Sequence, residues 1–360
     1  MFNVSEGEGE VEDCYRTYIV TKPTTSYIIN SVIGCIVNLI LCFVGSFLNA
    51  LVVYVFWKTP RLRYKVSYFM IMLLSSIDVL VTLIVHPAHL VMSVAEIIGK
   101  PKCIYKMSYQ IAAVVLSGMS FFTFFVLNIE RYLSIVHPIF HLQHVTKLRC
   151  LVVCIMLWSL AIFCGPVAYP LSLNTDLTIT VSSLVVICGT FYIYFAIFYF
   201  GRRRRKGSQP NNVRRREENS NIFLVEDSTH TDNMSSCIAP EALLNPNPDV
   251  PMKTINMNQN VLKRDERKRS RKTVSLQHDL QLAKMCLLVV FISFALNLPN
   301  AVIFAVFTDR IKAVDGQVQA KIWTVTLVLM NSTVNCLIFF WANERLRKEG
   351  RKVCKRLCKC

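Results

Sequence analysis

Ionisable side chains are scarce inside the long apolar runs of this 360-residue chain, and two places hold them. Asp78 is the acid within the run 66–94, and Glu130-Arg131-Tyr132 closes the run 104–136. His86 and His89 lie in the outer half of the run that holds Asp78; packing or interfacial roles suit them better than ligand contact. A charge at bilayer depth is costly unless it faces protein or water, so each of these groups needs a reason. An isolated carboxylate among neutral polar groups suits ion handling, and an acid beside a guanidinium makes a breakable ion pair. Asn49, Trp158 and Pro299 sit near the middle of their own apolar runs, and Asn331, Ser332 and Asn335 share one stretch of another. No in-run His, Glu and Asp set has metal-ligand spacing and no nucleophile elbow occurs, so enzymatic chemistry is not expected.

The elements that must hold these groups are membrane spans. Hydrophobic residues make up 53% of the chain and charged residues 18%, gathered in a few segments, which is a membrane composition. About 20 apolar residues cross a hydrocarbon core as a helix. Runs of that order occupy 27–57, 66–94, 104–136, 150–173, 177–200, 285–307 and 322–341. The expected fold is an all-α membrane protein, a seven-transmembrane helix bundle, since lipid offers no partner to unpaired backbone groups.

Residues 1–26 form an N-terminal segment, 27–200 spans one to five, 201–279 a long loop, 280–341 spans six and seven, and 342–360 a tail. Lys58, Arg61, Arg63 and Lys65, then Arg202 to Lys206, then Arg345 to Lys352 put the intervening ends in the cytoplasm and the N-terminus outside. No cleavable signal peptide is visible at the start, so the first span is expected to direct insertion. The net charge of +17 is explained by these basic flanks and by anionic lipid, and no nucleic-acid partner is expected. The loop 201–279 is polar and aperiodic, and its middle is expected to be disordered. Ser270 and Ser275 follow basic residues, as kinase sites do, although a solvated charge run reads the same way.

Asn3-Val4-Ser5 is a glycosylation sequon on the outer side. Cys14 and Cys103 lie on that side and either pair or remain free thiols. Cys354, Cys358 and Cys360 in the basic tail are candidate palmitoylation sites, with ordinary reduced thiols as the alternative.

With Asn49, Asp78, Arg131, Trp158 and Pro299 in five separate runs, the chain resembles the rhodopsin-like (class A) G protein-coupled receptors throughout, the long loop excepted. Glu130-Arg131-Tyr132 with Pro138 and Ile139 looks like the family's acid-Arg-Tyr motif and the G protein-facing loop behind it. Tyr194 with Ile197 matches the inner fifth helix, and 344–352 resembles the short amphipathic helix along the inner leaflet. Departures are Asn297 where a Trp is usual, Asn335-Cys336-Leu337-Ile338-Phe339 without the terminal Pro and Tyr, Val186 where a Pro is common, and no cysteine near Asn174. The tiny, unbridged second outer loop is similar to the melanocortin, lipid and adenosine branch.

The resemblance implies a receptor passing an extracellular signal to a heterotrimeric G protein, with arrestin and kinases as further partners and membrane lipids around it. Ala113 in place of an aminergic Asp argues against monoamines, and Leu329 in place of the opsin lysine, with Lys321 two turns outward, against retinal. The expected pocket, holding Ala113, Asn297 and Leu329, would take a lipid, a small apolar molecule or a peptide. No cofactor is required; Asp78, Ser120, Asn331, Ser332 and Asn335 match the family's allosteric sodium site, or form a polar cluster without an ion. Asp279 matches the acidic partner of Arg131, with Glu130 as the local alternative and helix capping as a plain structural role. Residues implied in coupling are Glu130, Arg131, Tyr132, Pro138, Ile139, Tyr194, Asp279, Asn335 and Phe339. The competing functions are a weakly signalling, constitutive or decoy receptor and, from a different class, an ion- or proton-coupled transporter.

Overall fold

The structure, a computed structural model, describes residues 10–14, 17–164, 189–200, 202, 281, 283–300, 302–303 and 316–357. The chain divides into two units, Met1–Ile197 with Gln281–Cys360, and Phe198–Leu280, and the helical bundle is the first.

Polarity is inverted relative to a water-soluble domain. Asn38 and Asn49 are fully buried, while Phe43, Phe47, Trp57 and Trp341 are each more than half exposed. Apolar side chains outside and amides inside are stable only where the surroundings are hydrocarbon.

Helix α1, Thr25–Lys58, shows how the sequence sets this up. Thr24 caps it, accepting from the Tyr27 N–H at 3.2 Å. Tyr27, Ser31, Gly34, Asn38, Cys42, Gly45, Asn49, Val52 and Phe56 are buried, a stripe with steps of three and four. Small and polar residues fill the stripe, and Ile, Phe and Leu take the faces toward lipid. After α2, Pro60–Arg63, the second span begins as α3, Val66–Leu80. It passes through a π-helical stretch, Val81–Val85, into α4, His86–Ile97. Pro87 has no N–H and crowds the preceding turn, and the His86 N–H reaches back five residues to the Val81 carbonyl. Gly99, at φ 69°, turns the chain at the end of this span.

The third span is α5, Cys103–Val136; α6, Pro138–His144, follows it and meets the next helix at 85°. That helix is α7, Lys147–Cys164. Then come α8, Gly189–Phe200, α9, Ala283–Asn300, α10, Gly316–Ala342, and α11, Glu344–Leu357. Among the described residues five helices are long and apolar enough to cross a membrane, six if the α6–α7 pair counts as one, and α8 is a shorter apolar helix. The architecture is a helical membrane bundle of the seven-span kind. A 34-residue helix such as α1 is about 50 Å long, so it outreaches the roughly 30 Å hydrocarbon core.

One feature adds to the sequence reading and another decides between its alternatives. Residues 10–22 lie within the segment expected only to be an outer tail, and they form an antiparallel hairpin of β1, Glu10–Cys14, and β2, Thr17–Lys22. Val20 of β2 is buried against Tyr27 and Val318, with Tyr18 and Ile322 packed beside them. Of the interfacial and packing roles open to His86 and His89, burial fits packing: they are 0% and 4% exposed, and Asn38 Nδ2 donates to the His86 carbonyl at 3.1 Å.

Candidate functional site

Polar side chains gather at three depths in the bundle. At mid-depth, α3 carries Asp78, 1% exposed, and Ser120 of α5 donates to its Oδ1 at 2.7 Å. Ser332 and Asn335 of α10 hydrogen-bond to the same carboxyl. Asn49 Nδ2 donates to the Gly45 and Ser332 carbonyls at 3.0 and 3.3 Å, tying α1 to the same level. Asn331 is turned elsewhere, its Oδ1 accepting from Ser293 of α9 at 2.7 Å. The structure thus brings Asp78, Ser120, Ser332 and Asn335 together and assigns Asn331 to an α9–α10 link. Ser293 also lies 3.5 Å from Asn335 Oδ1, so it joins the two asparagines. Carboxylate and neutral oxygens in one buried place are a donor set for a hard cation.

The helices can reach this level because small residues let them approach. A Cβ added at Gly45 would stand 2.5 Å from Thr333 Oγ1 and 2.8 Å from Thr82 Cγ2. One added at Gly118 would meet Ala161 at 3.2 Å, where Trp158 Nε1 donates to Thr123 Oγ1 at 3.0 Å across α7 and α5.

At the end of α5 beside α6, Arg131 and Glu130 are both 2% exposed. Arg131 Nε donates to Glu130 Oε2 at 2.6 Å and Nη2 to Oε1 at 2.7 Å, a forked pair. His141 of α6 donates from Nε2 to Glu130 Oε1 at 2.9 Å, and Ser67 Oγ from α3 at 3.2 Å. Four donors offset the desolvation of this carboxylate. Tyr194 of α8 is buried beside them, its hydroxyl donating to Asn128 Oδ1 at 2.5 Å. Tyr132 meets His137 edge-on at 5.8 Å, Pro138 opens α6, and Ile139 is 73% exposed. Asp279 lies outside the described residues, and Glu130 is a partner of Arg131.

Beyond these, Phe339 is buried above α11, whose start is capped by Asn343 Oδ1 accepting from the Leu346 N–H at 3.2 Å. Lys348, 2.6 Å from Glu344, holds that carboxyl below the usual carboxylate range. Cys354 is half-buried with a free thiol. Asn3, Cys358 and Cys360 lie outside the described residues.

At the opposite end, Cys14 and Cys103 are joined as a disulfide, fastening the hairpin to α5. Tyr27 donates to Glu96 Oε2 at 2.7 Å, and Lys106 Nζ lies 3.7 Å from Glu96 Oε1. Farther in, Leu329 packs with Val81 and Val85, and Ala113, Tyr109 and Val325 adjoin them. Asn297, expected in the same pocket, donates to the Ser293 carbonyl of its own helix at 2.7 Å. Ser293, His141 and Glu96 were not singled out from sequence, and Lys106 was read only as one of the basic residues before the third span. Only Glu96 carried a signal, as an acid two residues past an apolar run.

Residues 48–194 match the family model described as 7 transmembrane receptor (rhodopsin family). No curated protein matches the chain. The family match supports a receptor of the G protein-coupled type, which spans the membrane several times.

Proposed function

We propose that this chain is a rhodopsin-like receptor that transmits binding of an extracellular ligand to a heterotrimeric G protein. One observation carries the reading. The buried Arg131–Glu130 fork is held by groups from three separate elements, α3, α5 and α6, beside the exposed Ile139. Movement of any of these elements changes the donors around Glu130, so the pair can report a rearrangement of the helices to a partner docked at Ile139. Asp279 is a further partner for Arg131 in this account. Bound sodium at Asp78 would favour the arrangement that converges Ser120, Ser332 and Asn335 on it.

The basic flanks favour a plasma-membrane orientation with the N-terminus outside, a glycan at Asn3, and acyl chains at Cys354, Cys358 and Cys360 beside anionic inner-leaflet lipid. Arrestin and kinases are the expected further partners, and the short second outer loop resembles that of the melanocortin, lipid and adenosine branch. A weakly signalling or constitutive receptor is the second reading, on Asn297, Cys336 and Phe339: Asn297, where the family usually has Trp, donates to the Ser293 carbonyl of its own helix.

G protein activation in transfected cells, with and without a ligand screen, is the test. The parent chain should activate above mock-transfected cells, and Arg131→Ala should abolish coupling while surface expression is retained. Glu130 keeps His141 and Ser67 in that variant. Silence of the parent at matched surface levels would leave a decoy, and Asp78-dependent ion flux would indicate a transporter.

A further inference from the structure

Two carboxamides stand one turn apart on the inward face of α9. Leu288, Phe291, Ala295 and Leu298 are exposed at steps of three and four, and this apolar stripe is the face turned to lipid. Ser293, Asn297 and Asn300 recur at steps of four and three on the opposite face. Asn297 and Asn300 are only half-buried, and since hydrocarbon lies on the other side, the surface they keep opens into the bundle.

The stretch is held against α10 at both ends. Ser293 donates to Asn331, and Thr324 Oγ1 donates to Asn300 Oδ1 at 3.3 Å. The two links are seven residues apart on each helix, so α9 and α10 run antiparallel and in register over about 10 Å, with Asn297 between the links. Thr324 meets the amide face, and its neighbour Val325 packs with Tyr109, Ala113 and Leu116 against Val81, Val85 and Leu329. Tyr109, Ala113, Leu116 and Val325 each keep part of their surface uncovered. The stretches 109–116, 293–300 and 324–331 contain no acid, lysine, arginine or histidine, so a charged ligand would find no counter-charge on them.

An asparagine side chain has two N–H donors and an oxygen with two lone pairs. Asn297 gives one donor to the Ser293 carbonyl, and its oxygen has no partner among the described residues. The Asn300 oxygen accepts from Thr324, and its amino group has no partner among the described residues. The face thus offers an acceptor and, about 5–6 Å along, a donor. A residue of an extended peptide presents its own N–H and carbonyl on one edge, and a lactam does the same.

We propose that Asn297 and Asn300 recognise an uncharged ligand with an N–H donor and a carbonyl acceptor on one edge. Asn297 Oδ1 accepts from the ligand N–H, Asn300 Nδ2 donates to its carbonyl, and the apolar body lies against Tyr109, Ala113, Leu116 and Val325. The inference rests on the receptor reading and names its ligand class.

The test uses two probes, N-acetyl-phenylalanine methylamide and the lactam 3-benzyl-2-piperidinone, titrated by saturation-transfer NMR onto the purified full chain in nanodiscs. At least one should bind saturably; the first alone marks a peptide source for the ligand, the second alone a small cyclic amide. Methylating the phenylalanine or lactam nitrogen should weaken binding to the parent chain about tenfold, the loss of one hydrogen bond with its acceptor left unpaired. Asn297→Leu and Asn300→Leu, close in volume to the parent, should each weaken the unmethylated probe similarly. The methylated probes need no variant, so they read the contact even where a leucine variant fails to fold. Absence of saturable binding by both probes, equal binding of the methylated forms, or parent-like affinity in either leucine variant would overturn the site. Asn297-dependent binding without any G protein activation would instead sink the receptor reading and leave the site standing, and activation without probe binding would do the reverse.

Discussion

At Asp78 the donor set is compact: a carboxylate, the Ser120 hydroxyl at 2.7 Å, and Ser332 and Asn335 from α10. If sodium binds there, raising sodium at constant ionic strength should raise the thermal midpoint of the purified parent, by mass action on the convergent arrangement. Asp78→Ala should lose that dependence. Equal insensitivity of both proteins to sodium would remove the ion from the account and leave a hydrogen-bonded cluster. Asp78 was legible in the sequence because no acid is cheap at bilayer depth. Ser293 was not, since a serine can satisfy itself on its own helix and its presence carries little signal. His141 escaped notice for the opposite reason: it follows the apolar run in a segment that reads as a solvated loop, and only the 85° bend between α6 and α7 accompanies its position under Glu130.

Among the elements, α1 depends on the stripe that holds Gly34, Asn38, Gly45 and Asn49. Gly45→Val would drive two methyl groups toward Thr333 and Thr82, where even a Cβ is too close. Overpacking of this kind costs about 1–3 kcal/mol, so the variant should unfold at a lower temperature than the parent in the same detergent. Gly45→Ala should fall between them. Parent-like stability of the valine variant would mean that α1 can shift away from α10. The spans were legible as apolar runs because hydrocarbon imposes length and composition together. The hairpin was not: Glu10 to Lys22 mixes acids with apolar residues and lacks an Asn-Gly or Asp-Gly turn, and its pairing depends on the bundle beneath it. Glu96 and Lys106 escaped for a related reason, since charges at the ends of spans are ordinary and say nothing of a partner.

For the molecule as a whole, the Cys14–Cys103 bridge fastens β1 to the start of α5 across 89 residues and encloses the first two spans. Closing so long a loop is worth about 4–5 kcal/mol in the chain-entropy model, an upper limit here because the spans stay inserted when the bridge is absent. Replacing both cysteines by serine should therefore leave the bundle assembled and loosen the hairpin, read as faster amide exchange over Thr17–Lys22. Unchanged exchange would mean that Val20 and Tyr18 hold the hairpin without the bond. The same bridge also makes assembly order-dependent. Its thiols lie on either side of two complete spans, so in the proposed orientation, with the N-terminus outside, Cys14 must wait in an oxidising lumen, unmatched, until translation has threaded α1 to α4 and delivered Cys103. Throughout that interval the nascent chain is a substrate for oxidoreductases and for capture by other thiols, and the yield of correctly closed molecules is set during synthesis, before any ligand is met.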